Sequence, residues 1–151
     1  LKVATADPGF NTGIAFWKDW GEVIPSRTTV LRAPEEGSDV ERMKALFEAY
    51  SVTMLAMNPD LVYIENSGYW DSSARSRRSL GSGALTKLTL IVGGLVALSL
   101  PNVRLINPID WKGTLKKDIL IARIRIATDG LEYRDHEREA VGLGLSVRKW
   151  L

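Results

Sequence analysis

Cysteine is absent from the 151 residues, which excludes disulfide staples, zinc–thiolate centres and thiol nucleophiles. Long apolar runs are absent as well. The longest, Leu88 to Leu100, spans 13 residues and includes Thr89, Gly93, Gly94 and Ser99. That falls short of the roughly 18–20 residues a membrane span requires, so the expected role is a buried helix, with no membrane partner. No basic-then-apolar leader opens the sequence, and a soluble, cytoplasmic protein is the expectation. Repeats, low-complexity tracts and linker-like stretches are also missing, which predicts one domain over residues 1–151.

The composition that remains is ordinary for a globular chain, 45% hydrophobic and 25% charged, and argues against disorder. The charge is unevenly spread. Residues 1–65 carry 6 Lys/Arg against 10 Asp/Glu, and residues 66–151 carry 14 against 8. An acidic half facing a basic half suits a protein that holds cations and a polyanion together, although an accident of surface composition gives the same pattern.

Periodicity divides the chain into alternating elements. Lys2–Ala6 reads as a strand halted by Asp7-Pro8-Gly9, a turn signal, and Gly13–Trp17 as its hairpin partner. A third strand falls between Val23 and Leu31, held to an edge or bulge by Pro25. Ser38 or Asp39 caps a helix carrying Val40, Met43, Leu46, Phe47, Tyr50 and Met54 at helical spacing, ending near Asn58-Pro59. Leu61–Glu65 is a buried-type strand that ends in a charge. A polar loop then leads to an apolar helix from Gly83 to Leu98. Val103–Ile106 is a fifth strand ended by Asn107-Pro108, and helices over Asp118–Thr128 and Asp135–Lys149 close the chain. Three leading strands followed by alternating helices and strands predict an α/β layer architecture.

Acidic or imidazole groups sit at the ends of three of these elements: Asp7, Glu65, and the pair His136 and Glu139, one helical turn apart on a shared face. If the first and fourth strands are neighbours, both carboxylates leave the sheet at one end, and a helix packed across it adds the other two. Clustered carboxylates repel, so such a cluster serves to hold a divalent cation. Two Mg²⁺ or Mn²⁺ ions roughly 4 Å apart are suited to phosphodiester cleavage. Each residue alone has a plainer reading: Asp7 as turn chemistry, Glu65 as a solvated strand end, His136 as an exposed helix start. Adjacent Asp135 is an alternative to His136 as the ligand, but its place before the last helix reads as the N-cap.

The same residues carry a resemblance. Asp7-Pro8-Gly9 with Thr12-Gly13-Ile14-Ala15, Val62-Tyr63-Ile64-Glu65, Asn107-Pro108-x-x-Trp111-Lys112 with Lys116 and Lys117, and His136-x-x-Glu139-Ala140 resemble, in order, four segments of the RuvC-type Holliday junction resolvases. The resemblance implies an RNase H-like fold of the retroviral-integrase superfamily, with a central mixed five-stranded sheet flanked by helices. It further implies a homodimeric endodeoxyribonuclease that needs Mg²⁺ or Mn²⁺ but no small-molecule cofactor and makes symmetric cuts in four-way DNA junctions. Asp7, Glu65, His136 and Glu139 would be its catalytic and metal-binding residues. There are departures: Glu139 stands where Asp is usual, His136 where Asp is common, and Trp111 where an aliphatic residue is usual. The loop after Glu65 is long and basic, which points to a phage-like or divergent member and so to a bacterial or phage-infected cell.

For DNA, the expected phosphate contacts are Arg75, Arg77, Arg78, Lys87, Lys112, Lys116 and Lys117. Lys112 is also placed to steady the scissile phosphate. Tyr69 and Trp70 are the candidate wedge that stacks at the junction centre, or else anchors of their loop on the core. The helix Leu85–Leu98, with Gly93-Gly94 allowing close approach, is either part of a two-fold interface or an internal packing element. An RNase H-fold nuclease acting on other branched DNA or RNA, or a silent nucleic-acid-binding module, are the competing readings.

Overall fold

Val3–Asp7 is buried along its whole length, as a strand covered on both faces must be, and that places it in the middle of a sheet. The computed structural model describes residues 1–68, 78, 81–99 and 102–151, with this strand, β1, at the centre. Antiparallel β2 (Asn11–Trp17) and β3 (Arg27–Arg32) lie to one side of it. Parallel β4 (Leu61–Glu65) and β5 (Val103–Ile106) lie to the other, in the order β3-β2-β1-β4-β5. This is the mixed five-stranded sheet expected. The helices with described bounds are α1 (Asp39–Met57), α2 (Ala84–Leu98), α3 (Pro108–Trp111), α4 (Lys117–Ala127) and α5 (Asp135–Val147).

Strand alternation sorts the core into two layers. Ala4, Ala6, Ile14, Phe16, Val62 and Ile64 meet Met43, Leu46, Tyr50 and Met54 of α1 and Ile91 and Leu95 of α2. The opposite parity, Val3, Ala15, Trp17 and Tyr63, meets Leu120 and Ile124 of α4 and Ala140, Val141, Leu143 and Leu145 of α5. Asp7 and Glu65 share the second parity, so their carboxyl groups emerge on the α5 side.

The start of α1 follows from its capping residues. Ser38 Oγ accepts the Glu41 amide at 3.2 Å, and Glu41 Oε2 accepts the Ser38 amide at 2.8 Å. Asn58 ends the helix in the left-handed region at φ 43°. Tyr50 and Ser99 link α1 to the end of α2 through a buried 2.6 Å hydrogen bond.

Three details differ from the sequence expectation. β1 keeps Asp7, which pairs with Gly13, so the hairpin turn is tighter and β2 begins at Asn11. Pro108 does not merely end β5: it opens the one-turn helix α3, since its missing amide and preset φ suit a first helical position. Asp135 is not an N-cap but the first residue of α5, because the backbone bends at Arg134, whose amide Glu137 Oε2 accepts at 3.2 Å. Of the two readings of Gly93-Gly94, Gly94 fits internal packing, since a β-carbon there would run into the Phe47 ring on α1.

Candidate active site

The parallel register of β1 and β4 pairs Ala6 with Ile64, so Asp7 and Glu65 follow side by side at the same end of the sheet. Helix α5 crosses that end over β1 and β2. It gets close enough because β2 presents Gly13 opposite Asp7: a β-carbon at Gly13 would collide with the backbone of His136 and stand 2.9 Å from the Glu137 nitrogen. Thr5 Oγ1, two residues before Asp7, donates a buried 2.6 Å bond to the Ala140 carbonyl and fixes the helix over β1. His136 Nδ1 then lies 2.9 Å from Asp7 Oδ2. One turn on, Glu139 meets Glu65 through a shared cation, the ammonium of Lys112, which is 2.9 Å from Glu65 Oε2 and 3.0 Å from Glu139 Oε2.

Asp7 and Glu65 are both buried, and burial is the main cause of Asp7's displaced titration. Its carboxyl is pushed up to about 6, with the charges of Glu65 and Glu139 adding to the effect and the His136 hydrogen bond opposing it. His136 is raised by its bond to Asp7, against burial and the nearby charge of Arg32. Burial alone would lower Lys112, but the charges of Glu65 and Glu139 outweigh it and raise the ammonium.

The four expected residues are therefore brought together from β1, β4 and α5, with Lys112 among them. As they stand they form two separate pairings, Asp7 with His136 and Glu65 with Glu139 across Lys112. Among the described residues no group of three or more acidic or imidazole side chains is set closely enough to hold an ion. The donor types do suit a divalent cation: three carboxylates and an imidazole lie at one end of the sheet in these two pairings, and one pairing already draws in a positive charge, the Lys112 ammonium, between its two carboxylates. Asp135 is turned away from the cluster, exposed, and paired with Arg138 at 3.1 Å and Lys117 at 3.4 Å.

The other basic candidates are more scattered. Lys116 and Lys117 stand at the start of α4, beside the first turn of α5. Lys87, in the first turn of α2, pairs with Asp39 at 3.0 Å, an exposed contact. Arg78 is exposed. Tyr69, Trp70, Arg75 and Arg77 lie outside the described residues. Two neighbours of the cluster were not foreseen as site residues. Arg32, at the end of β3, acts electrostatically on His136, and β3 gave no sequence cue beyond its strand pattern. Trp111 donates its indole Nε1–H to Glu65 Oε2 at 2.7 Å. The cue for Trp111 was its place next to Lys112, because a buried indole needs an acceptor.

No protein-family model matches the chain, and no curated protein matches it in sequence. Solved structures do. The structure of Thermus thermophilus RuvC superposes with a TM-score of 0.71 at 16% identity, covering 97% of this chain and 92% of its own. Thermus thermophilus RuvC in complex with a Holliday junction substrate gives 0.71 at 17% identity, covering 97% and 91%. At that identity the likeness lies in the path of the backbone: the chain has the RuvC fold, an RNase H-like α/β sheet, carried on a largely different sequence.

Proposed function

We propose that the chain is a divalent-metal-dependent endonuclease that resolves four-way DNA junctions by paired, symmetric nicks. The observation that carries the proposal is the convergence of Asp7, Glu65, Glu139 and His136 from three elements at one end of the sheet, two of them buried against charge repulsion. Burying carboxylates together costs stability, and such a cost is retained where it serves chemistry. The substrate follows by analogy from the Thermus protein, whose structure includes a Holliday junction.

In this reading Asp7, Glu65 and Glu139 hold Mg²⁺ or Mn²⁺, as a two-ion site. Ions held by these residues would supply activation of a water and stabilisation of the leaving 3′-oxygen. His136 serves the proton transfer: with Nδ1 engaged on Asp7 Oδ2, its other ring nitrogen is the one left to take a proton from the attacking water. Lys112 shifts from the carboxylates to the scissile phosphate, and Lys116, Lys117, Arg32 and the basic loop neutralise the flanking strands. The active form is a homodimer, since a junction presents two equivalent strands. Its interface is assigned to α1 and α2, where Val40, Val52 and Leu90 are exposed around an open groove of about 750 Å³.

The Lys112 bridge favours one second reading, a silent junction-binding module in which the lysine permanently takes the cation's place. Cleavage of a labelled immobile four-way junction, with Mg²⁺ and with Mn²⁺, separates the two. Linear duplex and single-stranded RNA are the comparisons, and Asp7→Asn is the control. Paired nicks confined to the junction, lost in Asp7→Asn while binding persists, are expected. Cutting of every substrate alike would keep the chemistry and remove the junction selectivity. Tight binding without cutting under either metal would establish the silent module.

A further inference from the structure

The carboxylate of Glu65 is held by two adjacent residues of different character. Lys112 is flexible, charged and part-exposed, and it divides its ammonium between Glu65 and Glu139. Trp111 is rigid, neutral and buried, and its indole N–H bonds the same oxygen, Oε2, at 2.7 Å. The indole has little room to move. It packs against Gly142 of α5, where a β-carbon would stand 3.0 Å from the ring, and Ser146 Oγ donates to the Trp111 carbonyl at 3.0 Å. Among the described residues, the other Glu65 oxygen, Oε1, takes a single 3.3 Å bond, from Ser67.

We infer that Trp111 is a positioning residue: its indole N–H pins Glu65 through Oε2 and leaves Oε1 to bind the divalent cation. The inference rests on the metal-nuclease reading above. A carboxylate bonded only to Lys112 would lose its orientation whenever the ammonium moved to a phosphate or yielded to a metal ion. The indole bond survives that exchange, because it is neutral and set by core packing rather than by charge balance. Groups that orient a ligating carboxylate in this way typically contribute 10–100-fold to metal affinity.

Two measurements test this on the intact chain. In ¹H–¹⁵N spectra the indole resonance that disappears in Trp111→Phe identifies Trp111. It is expected to stand at low field, to move upfield in Glu65→Gln, where the acceptor loses its charge, and to persist with a changed shift when Mg²⁺ is added. Binding of Mn²⁺, read from the electron paramagnetic resonance of the free ion, is expected to weaken on the order of tenfold in Trp111→Phe. An indole resonance indifferent to both Glu65→Gln and Mg²⁺ would overturn the inference even if Trp111→Phe failed to fold. So would a folded Trp111→Phe with wild-type Mn²⁺ affinity, which would reduce the indole to packing alone. A wild-type chain that binds no Mn²⁺ would instead overturn the metal-nuclease reading, and the role of Trp111 with it.

Discussion

Replacing Gly13 by alanine adds one methyl group, yet it strikes the contact on which the site depends. The new β-carbon would collide with the His136 carbonyl and approach the Glu137 nitrogen to 2.9 Å. These are backbone atoms in the first turn of α5, so no side-chain rotation relieves the clash. Ordinary carbon contacts begin near ~3.5 Å, so the turn must retreat by about 1 Å or more. That stretches the 2.9 Å bond between His136 and Asp7 to about 4 Å, out of hydrogen-bonding range, and strains the 2.6 Å bond from Thr5 to Ala140. Overpacking of this kind costs about 1–3 kcal/mol. With a weakened, part-exposed ion pair added, the expected loss is about 2–4 kcal/mol, a fall in melting temperature of roughly 5–15 °C for a chain of this size. Thermal unfolding in chelator measures it, with the His136 imidazole resonances reporting on the bond to Asp7. The control is Gly93→Ala on α2, where a β-carbon meets nothing within 4 Å and helix propensity favours alanine by about 0.5–1 kcal/mol. A Gly13→Ala protein that melts within about 2 °C of wild type, with the imidazole signals unchanged, would show that α5 is not seated through Gly13.

Three further outcomes are expected. Lys112→Met leaves Glu65 and Glu139 facing each other without their shared cation. It should destabilise the metal-free protein by about 1–2 kcal/mol, discounted because the lysine is part-exposed; Mn²⁺ should then raise its melting temperature more than it raises wild type's, and equal Mn²⁺ shifts would sink the idea. For Asp7, a folded-state value of about 6 against an ordinary 3.8 means that the folded chain binds the proton more tightly than the unfolded one. The stability this supplies is complete below about pH 4 and lost as pH rises through about 6, and the raised His136 acts with the same sign at higher pH. Asp7→Asn should therefore be more stable than wild type at pH 7.5 in chelator, by on the order of 2–3 kcal/mol, and a variant no more stable than wild type there would contradict the burial argument. Tyr50→Phe removes the buried bond to Ser99 and should lower stability by about 1 kcal/mol, read as a shifted urea midpoint with unchanged slope; no shift would mean that the bond is not made in solution.

The strands and most helices were legible because their signals are local. The unbroken burial of Val3–Ala6 and Val62–Ile64, the Ser38–Glu41 cap and the stop at Asn58 follow from side-chain type and spacing. The four acidic and imidazole candidates could be named for the same reason, as charges placed at the ends of apolar segments. Their meeting could not be read in the same way. It depends on the order in which strands pair and on a helix seated over a single glycine, contacts between residues up to 135 positions apart. The partners within the cluster were less legible still. A carboxylate accepts from whichever donor packing brings near, so pattern alone could not tell that Glu65 takes Trp111 and Lys112, that Glu139 shares that lysine, or that Asp135 turns outward to Lys117 and Arg138. Local chemistry named the residues, whereas the long-range packing of α5 on the sheet set which of them face one another.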